Sequence, residues 1–490
     1  MTTPPNPSPE SILIIGSGVF GLSTAHALIN RSTIPKTTSI TVLSPGGFPP
    51  PTAASIDSSR IIRSDYSSPL YSNLAARAHT LWRTTPLGAD GRYTESGLVL
   101  TAQDGQSGME YVRDSLANVR GQEDSSKISV LDSERKIEEA VGLGPGCGTG
   151  TWGYLNRCAG WADAEAAMIF LRSQVEKAGR VKFIDGEVES LIFSAPINDT
   201  KNENNSNNNG KRKVLGARLK NTTKTITATL TILATGASTA SILPSASTQL
   251  CATAQTVAYL PLTPAEHTLL QKSPVLLNLT TGHFIIPPSP SMPVLKIARH
   301  AYGLINPTRI PNPEPPAATA TSTPHYNYYN PNPLISNPTH PPQIPASTSK
   351  SLHLALHDLL PHLPHLSTRP FSKTRLCWYT DTPTGDFLIG AHPAYAVDSL
   401  VLATGGSGHG FKFLPVIGEK VIDFVEERLE GELVRAWGWK GGGLREGEGE
   451  KWWEKELGWL GTRDGSRGGE WGRTLKEEEE MGDRLVRARI

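Results

Sequence analysis

SILIIGSGVFGLSTAHALI, residues 11–29, places three glycines between an apolar segment and a segment of helical character. Ile12–Ile15 predict a short buried strand, and a helix is expected after the turn. Gly16 permits the tight turn, Gly18 removes a side chain where a pyrophosphate would approach, and Gly21 lets the helix pack closely on the strand. A phosphate would then rest on the helix N-terminus. The stretch predicts a dinucleotide-binding βα unit, with a glycine-rich turn that binds no ligand as the alternative.

The second strand lacks a residue that dinucleotide sites usually carry. Thr38–Leu43 predict this strand, and an acidic residue at its end would bind the ribose hydroxyls. Ser44 stands there instead, followed by Pro45. A serine hydroxyl accepts a hydrogen bond less strongly than a carboxylate does. The nucleotide is therefore expected to use other contacts as well, and the absence counts against NAD.

Size and composition exclude several classes of protein. A chain of 490 residues favours two domains. The net charge of +1, from 47 basic and 46 acidic residues, predicts no nucleic-acid partner. No apolar run approaches the ~20 residues of a membrane helix, so no membrane partner is expected. Scattered cysteines predict a reducing compartment, no disulfides and no metal site; they are Cys147, Cys158, Cys251 and Cys377.

The two ends of the sequence bear on localisation. The N-terminal residues MTTPPNPSPE lack the basic and apolar regions of a signal peptide, which favours the cytoplasm. The last residues, Ala488-Arg489-Ile490, are near a peroxisomal Ser-Lys-Leu signal without matching it well, so peroxisomal import stays an alternative.

Secondary-structure signals suggest one sheet built from distant stretches of chain. Residues 70–95 and 162–178 predict helices. Thr231–Gly236 (TILATG) and Val401–Gly406 (VLATGG) predict strands that end in small residues, which let the backbone pass close to a cofactor. With the N-terminal motif they predict a single nucleotide-binding sheet. The intervening stretches would build a second, β-rich domain.

Three polar or biased segments are predicted to lie outside the core. Residues 201–213 (KNENNSNNNGKRK) suggest a hairpin tip, and residues 304–349 suggest a long surface insertion because of their Pro, Asn, Thr and Ser content. The tail after residue 431 holds six of the ten tryptophans and is expected to pack on the main body, with partner binding as the alternative.

Two arginines stand three residues apart in Ser58–Arg63. On a polar loop, Arg60 and Arg63 would present two guanidinium groups to one site. Arginine suits bidentate capture of a carboxylate. A pair of surface arginines in ordinary ion pairs is the alternative.

A basic strand follows further along the chain. The alternation in Val294–His300 (VLKIARH) predicts a strand with Lys296, Ala298 and His300 on one face. Burying a lysine and a histidine without partners is costly, so this face would line a cavity. A solvated strand face is the alternative.

Two later stretches complete the set. Arg375–Pro383 reads RLCWYTDTP, and Gly405–Phe413 reads GGSGHGFKF. The glycines of the second stretch give a ligand close access to the backbone, and Lys412 adds a positive charge there.

The motifs SRIIR, GWADAE (160–165), CWYTDTP and GGSGHGFKF, in this order, carry a family resemblance. The chain resembles the FAD-dependent amine oxidases of the monomeric sarcosine oxidase type, within the D-amino-acid oxidase superfamily. Fungal members of this group include saccharopine oxidase and fructosyl amino acid oxidase. The resemblance runs from Ile12 to about Glu427 and leaves out the biased segments and the tail.

The resemblance implies an architecture. The fold class is α/β, with a Rossmann-type FAD-binding domain from discontinuous segments and a β-rich (α+β) substrate domain. The FAD-binding domain would comprise residues 11–85, 155–240 and 370–430. The substrate domain would comprise 86–154 and 241–369, with the insertion at 304–349, and the tail would comprise 431–490.

The resemblance also implies residue roles. Cys377 would carry FAD covalently as a thioether to a ring methyl group, with a buried strand cysteine as the alternative. Lys296 would stabilise superoxide as oxygen is reduced. Arg63 and Lys412 would hold the substrate carboxylate, and Tyr379 would line the substrate pocket. Arg60 and His300 are expected as catalytic residues near the flavin and the amine. The full set expected to bind the cofactor is Gly16, Gly18, Gly21, Ser44, Arg60, Cys377, Gly236, Gly408, His409, Gly410 and Lys412.

The implied reaction is oxidation of the C–N bond of an N-substituted α-amino acid. The imine would hydrolyse or cyclise, and oxygen would be reduced to hydrogen peroxide. An N-methyl amino acid of specialised metabolism is one candidate substrate, and a fructosyl amino acid or saccharopine is the alternative. A monomer acting on a small amine and O₂ is expected. A flavin dehydrogenase with a partner acceptor and a non-catalytic FAD-binding protein remain the rival hypotheses.

Overall fold

The protein is described by a computed structural model that covers residues 8–50, 53–196, 211–306, 313–315, 344–440, 465–469, 473–475 and 478.

A six-stranded sheet begins with the glycine-rich stretch. The strand Ser11–Ile15 has a parallel neighbour on each side. The strand Leu388–Ala391, at one edge of the sheet, runs antiparallel to its neighbour, and the other neighbouring strands are parallel. The core strands are apolar and fully buried, as parallel sheets covered on both faces require. In spatial order the strands are β20 (Leu388–Ala391), β21 (Leu400–Thr404), β13 (Leu230–Leu233), β1 (Ser11–Ile15), β2 (Ser39–Ser44) and β9 (Val181–Asp185).

Helices cover this sheet. The helix after β1 is α1 (Val19–Asn30), and it packs against α9 (Ile417–Val425). The two backbones approach closely at Gly418, where an added Cβ would lie 2.0 Å from the Ser23 carbonyl oxygen. The other helices are α2 (Pro69–Thr84), α3 (Met109–Arg120), α4 (Glu134–Val141), α5 (Ala164–Lys177), α6 (Thr239–Ile242), α7 (Pro264–Leu270), α8 (Ala346–Leu359) and α10 (Gly431–Trp437).

A ten-stranded sheet forms the second layer. Its longest strand pairs antiparallel with three others and brings distant parts of the chain together. The order is β22 (Arg473–Thr474), β18 (Leu304–Ile305), β14 (Cys251–Pro261), β17 (Val294–Arg299), β16 (His283–Ile286), β15 (Val275–Asn278), β5 (Leu98–Ala102), β7 (Trp152–Asn156) and β6 (Ile128–Leu131), and β19 (Lys373–Asp381) also pairs with β14.

Two three-stranded sheets complete the described fold. One consists of β10 (Val188–Phe193), β11 (Val214–Leu219) and β12 (Thr225–Thr227). The other consists of β3 (Arg60–Ile62), β8 (Gly160–Ala162) and β4 (Tyr93–Thr94). The predicted fold class, a discontinuous Rossmann-type unit with a second β-rich unit, is confirmed.

Several local predictions need correction. The helix predicted over 70–95 ends at Thr84, because Pro86 follows and the residue before a proline disfavours helical geometry. Tyr93–Thr94 is instead a strand. The SRIIR stretch, predicted as a loop, begins β3. β19 pairs with β14 in the large sheet, whereas the sequence predicts that residues 370–430 belong to the FAD-binding domain. The division into domains is otherwise still a prediction.

The ends of the segment at 304–349 are part of the fold, so the prediction of a surface insertion is wrong for these ends. Leu304–Ile305 is buried and pairs with strands on both sides. Glu314 is buried and accepts hydrogen bonds from Ser245 and Tyr395. Residues 307–312 and 316–343 lie outside the described residues, as does most of the predicted hairpin tip.

The described parts of the tail pack on the main body. The Trp437 side chain is fully buried, and its Nε1 donates to Tyr71 2.9 Å away. Trp452, Trp453, Trp459 and Trp471 lie outside the described residues. Within the described ranges, no helix is both long and apolar enough to span a bilayer.

Candidate active site

The glycine turn has the geometry of a phosphate cradle. Gly16 has φ of +106°, and a Cβ there would lie 2.3 Å from the Ala234 carbonyl oxygen. A Cβ at Gly21 would lie 1.9 Å from the Gly16 carbonyl oxygen. Around Gly18 the nearest atom to such a Cβ is Ser55 Oγ at 4.0 Å. Gly16 and Gly21 therefore serve packing, whereas Gly18 leaves open space beside the unpaired N–H groups of the helix N-terminus.

Ser44 is tied to this turn. Ser17 Oγ donates to Ser44 Oγ at 3.0 Å, which joins the end of β2 to the glycine loop. A carboxylate does lie nearby, at the end of the neighbouring strand, but Asp185 accepts from the backbone N–H groups of Gly46 and Gly47 at 2.8 and 3.1 Å. A ribose contact at Ser44 stays a prediction.

Cys377 lies on the face of the large sheet that also carries Lys296. Its side chain is buried, and Arg60 Nη2 donates to Sγ at 3.3 Å. Arg375 and Tyr379 share the face, because alternate residues of a strand point the same way.

Lys296 is buried in an ion pair. Its side chain is 2% exposed, which excludes the solvated strand face. Nζ donates to Asp57 Oδ2 at 2.7 Å and to the Ser59 carbonyl oxygen at 2.6 Å. Burial, together with the positive charge of Arg60, lowers the pKa of Lys296 to about 8 even though Asp57 opposes the shift.

Asp57 is the acceptor that joins these groups, and the sequence analysis missed it. Its carboxylate also accepts from Tyr259 Oη at 2.5 Å and from Arg60. Burial alone would raise the pKa of Asp57, but Arg60, Lys296 and Arg375 together hold it well below its usual range. The one signal in the sequence was an acidic residue three positions before Arg60.

Arg63 and Lys412 flank one tyrosine ring. The Arg63 Cζ lies 5.2 Å from the centroid of Tyr66, and Lys412 Nζ lies 5.1 Å from it. Lys412 Nζ donates to Tyr66 Oη at 2.8 Å. His409 Nε2 donates to the Gly385 carbonyl at 2.8 Å, so its Nδ1 accepts from Tyr66 at 2.9 Å. Burial and the cation at Lys412 hold the pKa of His409 well below its usual value, so this imidazole is neutral.

The charges of Arg63 and Lys412 lack a matching anion. Both side chains are buried, and Arg63 Nη1 has no hydrogen-bond partner among the described residues. The carboxyl group whose charge acts on both is Asp65, which accepts from Asn156 Nδ2 at 3.1 and 3.2 Å. Burial raises the pKa of Asp65, which weakens it as a counter-ion. Burial and Arg63 lower the pKa of Lys412 well below its usual range.

His300 and Tyr379 lie next to each other beside the Arg63 and Lys412 cations, and this pair of rings is called the His300–Tyr379 wall. Their ring centroids are 6.4 Å apart, and both side chains are partly exposed. Burial in the surrounding cluster of cations, Arg467 first among them, keeps the pKa of His300 well below its usual value. Burial raises the pKa of Tyr379 to about 12, so its hydroxyl stays protonated. Gly408 abuts this wall, since a Cβ there would lie 2.3 Å from the Tyr379 ring.

Arg467 is a second residue that the sequence analysis missed. It comes from the tail, is 1% exposed, and pairs with Asp381 through Nη2 at 2.7 Å. Its Nη1 lies 3.5 Å from His300 Nδ1, and its Cζ lies 5.4 Å from the centroid of Tyr379. Glycines on both sides of Arg467 were the only signal for it in the sequence.

The remaining predicted glycines line the join between the two large sheets. Gly236, with φ of +54°, follows β13, and a Cβ there would lie 3.7 Å from Thr380 Oγ1 of β19. Gly410 begins a short 3₁₀ turn and lies against the Phe20 ring. No group of three or more His, Cys, Asp or Glu side chains in the described part of the chain is placed to hold a metal ion.

The fold and site define a flavin-dependent oxidoreductase. The chain belongs to the FAD dependent oxidoreductase (DAO) family, whose profile matches residues 11–424. It is similar to the amino acid oxidase imqH of Aspergillus flavus, at 33% identity covering 89% of this chain and 98% of that protein. It is also similar to the L-saccharopine oxidase of Schizosaccharomyces pombe, at 26% identity covering 88% and 93%.

A solved structure agrees with this assignment. The fructosamine oxidase Amadoriase II of Aspergillus fumigatus superposes with a TM-score of 0.70 at 28% identity, covering 88% of this chain and 90% of that one. The predicted resemblance to this group of amine oxidases is confirmed.

The residues present fit FAD. The open space at Gly18 suits a pyrophosphate on the helix N-terminus, and the buried thiol of Cys377 beside Arg60 suits a flavin ring edge. When bound, FAD supplies two-electron chemistry: it takes electrons from a C–N bond and passes them to an acceptor.

Proposed function

We propose that the protein oxidises the C–N bond of a secondary amine whose other end is an α-carboxylate, with oxygen as the acceptor. The observation that carries this proposal is the buried pair of cations Arg63 and Lys412, with the Nη1 of Arg63 unpartnered among the described residues. An N-methyl amino acid is the simplest such substrate. The balanced reaction joins the amine, O₂ and water to give the primary amine, formaldehyde and H₂O₂.

Arg63 and Lys412 would bind the substrate carboxylate. The unpaired Nη1 of Arg63 offers a charge-assisted hydrogen bond, and Lys412 offers the second charge. Binding of an anion also offsets the burial and the repulsion from Arg63 that lower the pKa of Lys412. Carboxylate binding therefore satisfies two groups that the protein leaves under-compensated.

The same cations would keep the substrate amine neutral. Only the neutral amine has the lone pair that C–N oxidation requires. Cations at Arg63, Lys412 and Arg467 disfavour a further positive charge and lower the pKa of the bound amine. His300 and His409 are neutral imidazoles, so neither of them changes the net positive charge around the amine.

The experiment that tests the proposal compares matched substrates. Purified holoenzyme is supplied in air with an N-methyl-L-amino acid, its C-terminal amide and the parent primary amino acid, and peroxide and formaldehyde are measured. Peroxide and formaldehyde in equal amounts from the acid, with at least 100-fold lower turnover of the amide, support the proposal. Equal turnover of acid and amide contradicts it.

The saccharopine and fructosyl amino acid hypotheses remain the alternatives. Both compounds are N-substituted α-amino acids, so the same pair of cations accommodates them. Saccharopine and a fructosyl amino acid therefore join the substrate panel. Turnover of either compound in preference to every N-methyl amino acid assigns the substrate and replaces the N-methyl proposal.

We also propose that Cys377 carries FAD covalently. Forming the thioether replaces the S–H bond and one methyl C–H bond by a C–S bond. The two electrons and two protons released reduce the isoalloxazine, and oxygen reoxidises it. Arg60, which donates to Sγ at 3.3 Å, supports this step by placing a positive charge beside the sulfur.

Acid precipitation tests this linkage. The flavin colour is expected to stay in the pellet of the wild-type protein and to be released by Cys377→Ala. The matched control is Cys251→Ala, which removes a buried thiol on β14 and is expected to keep the colour in the pellet. Release of the colour from the wild-type protein contradicts the proposal.

A further inference from the structure

The buried carboxylate of Asp57 has no role in the proposed function. Its side chain is 0% exposed, and it lies between β3 and the large sheet. Each of its oxygens accepts from more than one donor: Oδ1 from Tyr259 and the Ser58 N–H, and Oδ2 from Lys296 and Arg60. A carboxylate so fully engaged fixes the positions of its donors.

We propose that Asp57 is the positioning residue for Lys296: its carboxylate holds the buried ammonium in place and in its charged form, ready to stabilise the negative charge on oxygen as oxygen is reduced. This inference rests on the proposed function, with oxygen as the acceptor, and on the role toward oxygen that the family resemblance implies for Lys296.

The hydrogen bonds of Lys296 support the orientation. An ammonium has three N–H donors. Among the described residues, two acceptors are in range, Asp57 Oδ2 at 2.7 Å and the Ser59 carbonyl oxygen at 2.6 Å. Both belong to the segment that leads into β3, so one short loop fixes two of the donors. The third N–H remains for an oxygen anion.

The charges around Lys296 support its dependence on Asp57. The titratable and charged groups that act on it are Asp57 from the loop, Arg60 from β3 and Cys377 from β19. Asp57 is the one carboxylate among them. Removing its charge leaves Lys296 and Arg60 as buried like charges, and the lysine then loses its proton at a lower pH.

Lys296 also has a route for proton exchange. A narrow cleft reaches its side chain and is lined by Ser58, Ser59, Trp161, Met292 and Val294. Met292 is 43% exposed, so the cleft opens at the surface. This cleft is the side from which external protons are expected to reach Lys296.

The test is the substitution Asp57→Asn, which keeps the shape and removes the charge. The flavin of the holoenzyme is reduced without oxygen by light or dithionite, and its reoxidation by O₂ is followed by stopped flow between pH 6 and 9. The reoxidation step is thus measured even if no amine substrate works. Failure of the proposed substrates and failure of this inference are then separate results.

The expected result is a loss of rate that grows with pH. In the wild-type protein the lysine titrates at a pKa of about 8. Loss of a neighbouring anion lowers the pKa of a lysine by at least about one unit. The rate of flavin reoxidation in Asp57→Asn is therefore expected to fall about fivefold or more at pH 8 and little at pH 6. The control Tyr259→Phe removes one hydrogen bond to Asp57 and keeps the charge, so its pH midpoint is expected to stay within about 0.3 units.

A readout other than activity completes the test. Lysine ¹³Cε signals are titrated by NMR, and the signal of Lys296 is assigned by its loss in Lys296→Met. Its midpoint is expected to fall in Asp57→Asn. An unchanged midpoint, or a loss of rate that is equal at every pH, overturns the proposal. If Asp57→Asn does not fold, Asp57→Glu is used: it keeps the charge and moves it, so a reoxidation rate equal to wild type overturns the proposal.

Discussion

Replacing Arg63 by methionine is expected to stabilise the unliganded protein and to weaken its binding of a carboxylate. Arg63 is 5% exposed, and its Nη1 lacks a hydrogen-bond partner among the described residues. It also lies close enough to Lys412 to lower the pKa of that lysine. Methionine fills a similar volume without the charge.

The magnitude follows from the unpaired group. A buried donor without a partner costs about 1–3 kcal/mol, so Arg63→Met is expected to raise the unfolding free energy by about that amount. For domains of 150–250 residues, each kcal/mol raises the melting temperature by about 2–4 °C. Binding changes in the opposite direction. Loss of the charge-assisted hydrogen bond from Nη1, about 1.5–3 kcal/mol, weakens carboxylate binding by about 10–10²-fold.

The assay needs a ligand that cannot be oxidised. Methoxyacetate keeps the carboxylate and replaces the amine by an ether oxygen, and its dissociation constant is read from the change in flavin absorbance. Melting temperatures are measured on the ligand-free protein. Arg77→Met is the matched control: Arg77 pairs with Glu419 at the surface, so both quantities are expected to stay within about 0.5 kcal/mol of wild type.

A lower melting temperature in Arg63→Met would mean that the guanidinium stabilises the fold. Unchanged methoxyacetate binding would mean that the carboxylate binds elsewhere. Either result refutes the assignment of this pair as the anion site.

Two further predictions follow. Gly18→Ala is expected to leave the melting temperature of the FAD-free protein nearly unchanged, because the new Cβ meets nothing closer than Ser55 Oγ at 4.0 Å, while FAD binding weakens at least tenfold. Gly21→Ala serves as its contrast and is expected to prevent folding, since its Cβ would lie 1.9 Å from the Gly16 carbonyl oxygen; equal FAD binding in Gly18→Ala and wild type contradicts the cradle. Burial lowers the pKa of His392 to about 3, so the imidazole is neutral in the fold and protonated when unfolded at acid pH. The free energy of unfolding is therefore expected to fall as the pH drops from about 6.5 toward 3. In denaturant titrations at pH 7 and pH 5, His392→Phe is expected to lose less stability between the two pH values than the wild-type protein does. An equal loss in both proteins would refute the prediction.

The local order of the nucleotide unit could be predicted from the sequence. Apolar strands with glycines at their ends carry their own signal, since β1 and β13 are each apolar except for one hydroxyl residue and Gly16 must adopt a positive φ. The residues of the site could be named from motifs for the same reason. Lys296, Cys377 and Arg63 each stand in a short, distinctive stretch.

The partners of those residues could not be predicted. Asp57 and Lys296 are separated by 239 positions and meet only because β3 lies against the large sheet. Strand alternation placed Lys296 on a face but could not show what covers it. Arg467 reaches the site from a tail whose composition predicts no core position. Such contacts depend on how layers pack, and no local pattern encodes that.

One measurement tests the central claim most directly: anaerobic mixing of the holoenzyme with one equivalent of an N-methyl-L-amino acid. The flavin absorbance is expected to bleach, formaldehyde to appear in equal amount after the quench, and readmitted O₂ to restore the colour with one equivalent of peroxide. Full bleaching by the carboxylate-free N-methylamine at the same rate, or no bleaching by any N-substituted amino acid tested, including saccharopine and a fructosyl amino acid, would contradict a carboxylate-anchored amine oxidase.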